Sequence, residues 1–236
     1  MRFFLTTSFV LLFAWANAQY YYDRSKNPDK PVTTKSSKQD FNRYYFFNWD
    51  INKPLSNKDF ISNNSSLGTR LGLRKRINDE DKLWVGADFS WTVYKQYVPY
   101  QTYTTSTGAI STDLYNYSYN YSLTANIDYL FFSTDHVVLP YGGLGLGLAY
   151  DKVTQYYNIY SPNQGDGVSA WGLMVRPEIG LLIGFGKDTS WRVKLAAHYD
   201  YSSVKAALTT SNFIATGDYQ GFTNFGFQFG IVKMAW

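Results

Sequence analysis

The segment "NYSYNYSLTANIDY", residues 116–129, alternates polar and apolar side chains without interruption. Asn, Ser, Thr and Asp occupy its even positions, whereas Tyr, Leu, Ala and Ile occupy its odd positions. A period of two is typical of a β-strand whose two faces meet different surroundings. The segment therefore raises two questions: which face meets water, and what covers the other face.

The same alternation recurs in seven further segments, which makes eight candidate strands. Short turns are predicted after Ile77, Phe132 and Phe185, and long loops elsewhere. This pattern predicts an all-β fold, an eight-stranded antiparallel up-and-down barrel without free edges. The other seven strands are predicted from Arg43 to Lys53, Leu67 to Ile77, Lys82 to Gln96, Val138 to Asp151, Trp171 to Phe185, Trp191 to Tyr201 and Phe225 to Ile231, and the four long loops near Pro54 to Ser66, Val98 to Thr112, Lys152 to Val168 and Val204 to Tyr219.

Volume decides which face points inward. The apolar faces together carry about forty side chains, many of them large, and the interior of an eight-stranded barrel is only just wide enough to be filled by side chains. The polar faces are rich in Gly, Ala, Ser and Asn, and they fit. An outward apolar face of this size would aggregate in water, so the sequence predicts a transmembrane β-barrel, in which every backbone polar group is paired. A tyrosine-rich β-sandwich would also alternate, but it would need a water-compatible outer face on every strand.

Aromatic residues make up 19% of the chain and include 22 tyrosines. In a membrane barrel they are expected on the lipid face and in girdles at the two interfaces. Pro140 and Pro177 fall on the lipid-facing parity, that is, on the set of alternate positions whose side chains point to lipid. Because proline cannot donate a backbone hydrogen bond, the pairing register near them is not predicted. The predicted lipid-facing aromatic residues are Trp49, Trp91, Tyr115, Tyr117, Tyr119, Tyr121, Tyr129, Trp171, Trp191, Tyr199, Tyr201, Phe225, Phe227 and Phe229.

Charged residues of both signs fall on the inward parity in equal numbers. Charges inside a narrow barrel must be paired or hydrated, and a balanced set favours an internal ion-pair network over the single-sign rings of a selective pore. The lumen is therefore predicted to be closed and structural. The predicted network comprises Asp50, Arg70, Arg74, Arg76, Asp88, Asp128, Asp151, Arg176, Glu178, Arg192, Lys194 and Asp200.

Catalysis is not expected. His198, Asp200 and Ser202 share one face of a strand, but alternate Cβ atoms lie about 7 Å apart, which is poor geometry for a triad. The chain has 2 histidines and no cysteine, so it offers no thiolate site or disulfide. No metal site or cofactor is predicted. The formal charge of +4 is too weak a signal for nucleic acid, and no nucleic-acid partner is predicted.

The N-terminus has the features of a secretory signal peptide. Arg2 precedes an apolar run, and "ANA" supplies small residues before a predicted cleavage between Ala18 and Gln19. Three regions are therefore predicted: a signal peptide at residues 1–18, a flexible periplasmic tail at 19–40, and an outer-membrane barrel at 41–236.

The segment "PYGGLGLGLAY", from Pro140 to Tyr150, resembles the Pro-Tyr-x-Gly-x-Gly-x-Gly strand of small Gram-negative outer-membrane barrels of the OmpA/OmpX/OmpW type. The Tyr- and Asn-rich loops resemble those of Bacteroidota members. Trp236 resembles the terminal aromatic residue that the barrel-assembly machinery reads during insertion. The lipid-facing phenylalanines of the last strand have odd numbers, whereas Trp236 has an even number, and Lys233 falls among the odd, lipid-facing positions. We therefore expect either a bulge between Ile231 and Met234 or a lysine at the membrane interface.

The resemblance implies export to the outer membrane, with both chain ends in the periplasm and the four long loops outside. It implies a non-enzymatic structural or accessory role, as a subunit of a larger envelope complex such as a type IX secretion assembly. The expected partners are outer-membrane lipids and lipopolysaccharide, the assembly machinery, and proteins bound through residues 20–40 or the loops. A narrow channel for small solutes or lipidic molecules is the alternative, and a lipid A-modifying enzyme is the third reading.

Overall fold

A computed structural model describes residues 41–78, 82–105, 108–157, 165–185, 190–208 and 217–236. The predicted signal peptide, cleavage site and tail lie outside these residues. Within the described ranges, no helix is long and apolar enough to cross a bilayer.

Eight antiparallel strands follow one another around a closed barrel, and β1 pairs with both β2 and β8. The predicted eight-stranded up-and-down barrel is thereby confirmed. Along most of their length the strands alternate more buried and more exposed residues, as the period-two sequence pattern requires. The strands are β1 (Arg43–Pro54), β2 (Ser65–Arg76), β3 (Leu83–Thr105), β4 (Gly108–Leu130), β5 (Val138–Tyr157), β6 (Gly165–Gly184), β7 (Trp191–Leu208) and β8 (Gly217–Ala235).

The prediction of four long loops is wrong in three cases. We call the end of the barrel with the four predicted long loops the loop end and the opposite end the turn end. Between the strand bounds, the connections at the loop end contain 10, 2, 7 and 8 residues, and those at the turn end contain 6, 7 and 6. The stretch from Val98 to Thr112 is mostly a hairpin of β3 and β4, with a register shift between Val98 and Gln101. Its Tyr, Thr and Val residues favour strand structure, and pairing across the hairpin satisfies their backbone. Strands β5 to β8 likewise extend into the other two stretches.

The two prolines do not shift the register of β5 and β6. Pro140 pairs with Leu181 and Pro177 with Leu144 in a continuous ladder. Between β6 and β7 the ladder skips Arg176 and Pro177 but resumes in the same register, because proline has no N–H to donate.

No bulge interrupts β8 between Ile231 and Met234, so that expectation is wrong. Lys233 keeps its outward parity, and its Nζ atom lies 4.8 Å from the centre of the Trp191 ring and 3.1 Å from Ser190 Oγ. This contact agrees with the alternative expectation of a lysine at the membrane interface, because the stem of a lysine can lie along apolar surface while its ammonium group reaches polar partners. Trp236 follows the end of β8 and stacks on Phe41 at 5.2 Å, next to the ladder that closes the barrel.

Candidate functional site: the sealed lumen and the outer wall

A layer of ion pairs fills the middle of the lumen, and Glu178 on β6 is its centre. Its carboxylate lies 2.8 Å from Arg70 Nη1 and 2.8 Å from Lys194 Nζ. Tyr141 and Gln228 donate further hydrogen bonds to the same carboxylate. Five strands thus converge on one buried acid, since these residues belong to β2, β5, β6, β7 and β8.

Arg74 organises a second cluster nearer the turn end. Its Nε atom lies 2.7 Å from Asp128 Oδ2, and its two terminal nitrogens bond the carboxylate of Asp88. Tyr44 donates a hydrogen bond of 2.6 Å to the same Asp128 oxygen. The guanidinium is therefore shared by acids from β3 and β4, which ties three neighbouring strands together from the inside.

A third pair joins β6 to β7 nearer the loop end. Arg176 Nε lies 2.5 Å from Asp200 Oδ1, and Nη2 lies 3.0 Å from Asp200 Oδ2. Nη2 also reaches the hydroxyls of Ser90 and Ser122 across the lumen. Asp50 completes the layer through Arg70 Nη2 at 2.9 Å.

Three members of the predicted network have other surroundings. Arg192 on β7 donates hydrogen bonds to the backbone carbonyls of Thr134, His136 and Val137. These bonds connect β7 with the turn between β4 and β5. Asp151 lies away from the basic residues of the layer and accepts a long hydrogen bond of 3.5 Å from Tyr219. Arg76, at the turn-end limit of β2, is only partly buried.

Two apolar layers close the lumen on either side of the charges, and the sequence interpretation missed them. The polar even positions of residues 116–129 predicted a polar interior, whereas large apolar residues, most of them on the inward face of a strand, fill both mouths of the barrel. The turn-end layer contains Phe41, Tyr44, Phe46, Trp84, Leu130, Leu139, Tyr141, Leu182, Ala196, Val232 and Met234, and the loop-end layer contains Phe60, Ile61, Tyr94, Ala149, Val153, Met174, Val204, Ala206, Leu208, Tyr219 and Phe222.

The first loop contributes part of the loop-end layer. Asn57 adopts a left-handed conformation with φ of 52°, and its carbonyl accepts hydrogen bonds from the amides of Phe60 and Ile61. Asn116 Nδ2 then holds the Phe60 carbonyl from inside the barrel at 3.0 Å. This turn places Phe60 and Ile61 in the mouth of the lumen, where both are buried.

A small polar cavity of about 20 Å³ separates the charge layer from the loop-end seal. Arg176, Asp200 and Ser202 line one side of it. Buried polar atoms here without a protein partner include Arg176 Nη1, Ser202 Oγ and Asn224 Oδ1. A cavity of this size and polarity suits an ordered water molecule rather than a larger solute.

His198, Asp200 and Ser202 do not form a catalytic triad. His198 Nε2 lies 3.0 Å from Asn52 Oδ1 and 3.7 Å from Asp200 Oδ2. Asp200 is engaged by Arg176, and Ser202 Oγ has no partner among the described residues. In the described part of the chain, no group of three or more His, Asp or Glu residues is arranged to hold a metal ion.

The outer wall carries the predicted aromatic residues on its outward face, in rows across the strands. One row at the loop end joins Trp91, Tyr121, Tyr150 and Trp171, and ring centroids in it lie 6.1 Å and 4.8 Å apart. Below it follow three apolar rows, of which Phe89, Leu123, Leu148 and Leu173 form the first, and then the row that contains Tyr129. Trp49, Tyr199, Tyr201, Phe225, Phe227, Phe229 and Trp191 are exposed on the remaining strands.

The fold and its surface define a closed β-barrel with a charged, sealed interior and an apolar outer belt. No protein-family model matches the chain, and no curated protein matches it. Solved structures that it resembles include small outer-membrane barrels. They include neisserial surface protein A (19% identity, TM-score 0.47, 82% of this chain and 97% of that one), Ail of Yersinia pestis (15%, 0.44, 82% and 97%) and OprG of Pseudomonas aeruginosa (12%, 0.37, 83% and 96%).

Proposed function

We propose that the protein is an integral barrel of the outer membrane of a Gram-negative bacterium, with a non-enzymatic accessory role in a larger envelope assembly. The observation that carries the proposal is the combination of an apolar outer belt with a sealed lumen. On β4, Tyr129 lies eight residue steps from Tyr121. This distance is about 27 Å along a strand and about 20 Å across a membrane at the usual tilt. This height approaches the apolar band of about 25 Å in outer-membrane barrels.

The sealed lumen supports a scaffold rather than a pore. A solute would have to pass two apolar layers and the ion pairs of Arg70, Arg74 and Arg176. Displacing charges from a buried network costs several kcal/mol. The surfaces that we propose for interaction are the outer wall and the hairpins at the loop end, together with the tail predicted for residues 19–40.

The outer-membrane placement is tested by gel migration. A folded barrel resists detergent at room temperature, so we expect the protein from outer-membrane fractions to migrate differently before and after boiling. Recovery in the soluble fraction with no change in migration would contradict the placement and the assignment of the tyrosines to lipid.

The accessory role is tested by co-purification from membranes in mild detergent. We expect stoichiometric partner proteins with the full chain and their loss when residues 20–40 are removed while the signal sequence is kept. A matched control replaces residues 20–40 with a Gly/Ser segment of equal length, which keeps the spacing and removes the side chains. A barrel that purifies alone from all three strains would contradict the assembly role.

Conductance is expected to be absent. In planar bilayers the wild-type protein should give no steady current steps. The double variant Phe60→Ser, Ile61→Ser should also remain closed, because the charge layer and the turn-end layer are unchanged in it. Ion-selective steps from the wild-type protein would favour the channel alternative.

A further inference from the structure

The charged residues on the outward face of the strands are almost all basic. Among the strand residues whose side-chain exposure the structure describes, the outward basic residues are Arg43, Lys53, Lys75, Lys95, Lys152, Lys205 and Lys233, and the outward acid is Asp113. The lumen, by contrast, holds the acids of the ion-pair layer. Basic residues therefore flank the apolar belt at both ends, the arrangement that favours contact with anionic lipid headgroups.

At the loop end, two of these lysines stand among tyrosines on neighbouring strands. Lys95 Nζ lies 5.6 Å from the centres of the Tyr115 and Tyr117 rings. Lys152 is directly opposite Tyr119 on the next strand, and both lysines are exposed. Tyr117 and Tyr119 stack at 6.0 Å with an interplanar angle of 10°, so the rings form a continuous surface.

The height of this cluster is fixed by the strand register. Tyr119 and Tyr117 lie one and two outward positions beyond Tyr121, which belongs to the aromatic row at the border of the belt. At the usual rise and tilt each outward position adds about 5 Å. The lysines therefore lie about 5–10 Å above the hydrocarbon, at the depth of the headgroups.

From this placement we infer that the outward wall formed by Lys95, Tyr117, Tyr119 and Lys152 is a binding site for the phosphorylated sugar headgroup of an outer-leaflet glycolipid. The ammonium groups pair with phosphate, and the tyrosine rings offer flat faces and hydroxyls to a sugar ring. Asp113, two residues beyond Tyr115 on β4, is partly buried and does not offset both lysines. This inference rests on the proposed outer-membrane placement and deepens it by naming the lipid and its site.

The test uses the full mature protein in phosphatidylcholine nanodiscs that contain a small fraction of lipid A, with bound lipid counted by native mass spectrometry. We expect bisphosphorylated lipid A to bind in preference to its dephosphorylated form. The variant Lys95→Gln, Lys152→Gln should bind bisphosphorylated lipid A roughly 25-fold more weakly, because the loss of each lysine–phosphate contact costs about fivefold. The matched control, Lys53→Gln with Lys205→Gln, removes two exposed outward lysines from β1 and β7 and should bind like the wild type.

Equal weakening by both double variants, or no preference for the phosphorylated lipid, would overturn the inference. Gel migration before and after boiling separates this failure from a failure of the proposed function. A protein that inserts and shifts on boiling but shows no phosphate preference refutes the site alone. A protein that does not insert refutes the outer-membrane placement on which the site depends.

Discussion

Replacing Glu178 with glutamine is expected to lower the free energy of unfolding by about 3–5 kcal/mol, the usual cost of breaking a buried ion pair. The change keeps the shape of the side chain and removes the negative charge that faces Arg70 and Lys194. Arg70 retains Asp50, so the larger part of the loss should come from Lys194, whose described acidic partner is Glu178. The measurement is urea unfolding in detergent micelles, followed by circular dichroism.

Two further variants make the prediction specific. Adding Lys194→Met to Glu178→Gln should recover part of the loss, because it removes the buried ammonium left without its partner. Asp113→Asn removes an acid from the outer wall of β4 and should change the unfolding free energy by less than about 0.5 kcal/mol. Unfolding of Glu178→Gln at the wild-type urea concentration would show that the ion-pair layer does not stabilise the barrel.

Replacing Gly147 with alanine is expected to separate β4 from β5. A Cβ atom at Gly147 would lie 2.0 Å from the carbonyl oxygen of Leu123 and 2.6 Å from the Cα atom of Thr124. Both contacts are with backbone, so the strand itself must move. We expect a loss of about 3 kcal/mol, the upper end of the usual cost of overpacking, and a lower fraction of protein that shifts on boiling.

Gly142 provides the control in the same strand. Among the described residues, the atom within 4 Å of a Cβ at Gly142 is Phe131 Cζ, at 4.0 Å. Gly142→Ala should therefore unfold within about 0.5 kcal/mol of the wild type in the same urea assay. Equal effects of the two substitutions would mean that strand propensity, rather than the close approach of β4 to β5, requires glycine at position 147.

The period-two pattern was sufficient to predict which side of each strand faces outward. Residues 116–129 show why: Asn116, Ser118 and Asp128 are buried in the lumen, while Leu123 and Ile127 are exposed on the wall. Which face a side chain occupies depends only on its place in the alternation along its own strand. Every pairing register that keeps the apolar face outward leaves that assignment unchanged. The inward position of Arg70, Arg74 and Glu178 follows from the same rule.

Chemical identity along the inward face was harder to predict. Trp84 and Tyr94 flank the polar inward stretch of β3, and both are fully buried. Their inward parity was available in the sequence, but the width of the lumen at each height depends on how strands are staggered around the barrel. The partners within the charge layer depend on the same stagger, because Arg70 and Glu178 lie on β2 and β6, far apart in the order of strands.

Strand ends were missed for a different reason. Tyr-, Thr- and Ser-rich stretches beyond Val98 are compatible with loops and with solvated strands, and only pairing across the hairpin decides between them. That pairing begins at Thr105 and Gly108 and is not visible in either strand alone.

The ladder between β1 and β8 has a consequence for the order of events during assembly. It joins Arg43 to Ala235 and continues to Pro54 and Asn224, so β8, which is synthesised after the other seven strands, supplies the partner of β1. Until β8 arrives, the amide and carbonyl groups along one edge of β1 have no partner, and in hydrocarbon each would cost several kcal/mol. A seven-stranded sheet therefore cannot enter the bilayer unaided. Either the seam closes before insertion, or another protein must cover the edge of β1 while the chain waits.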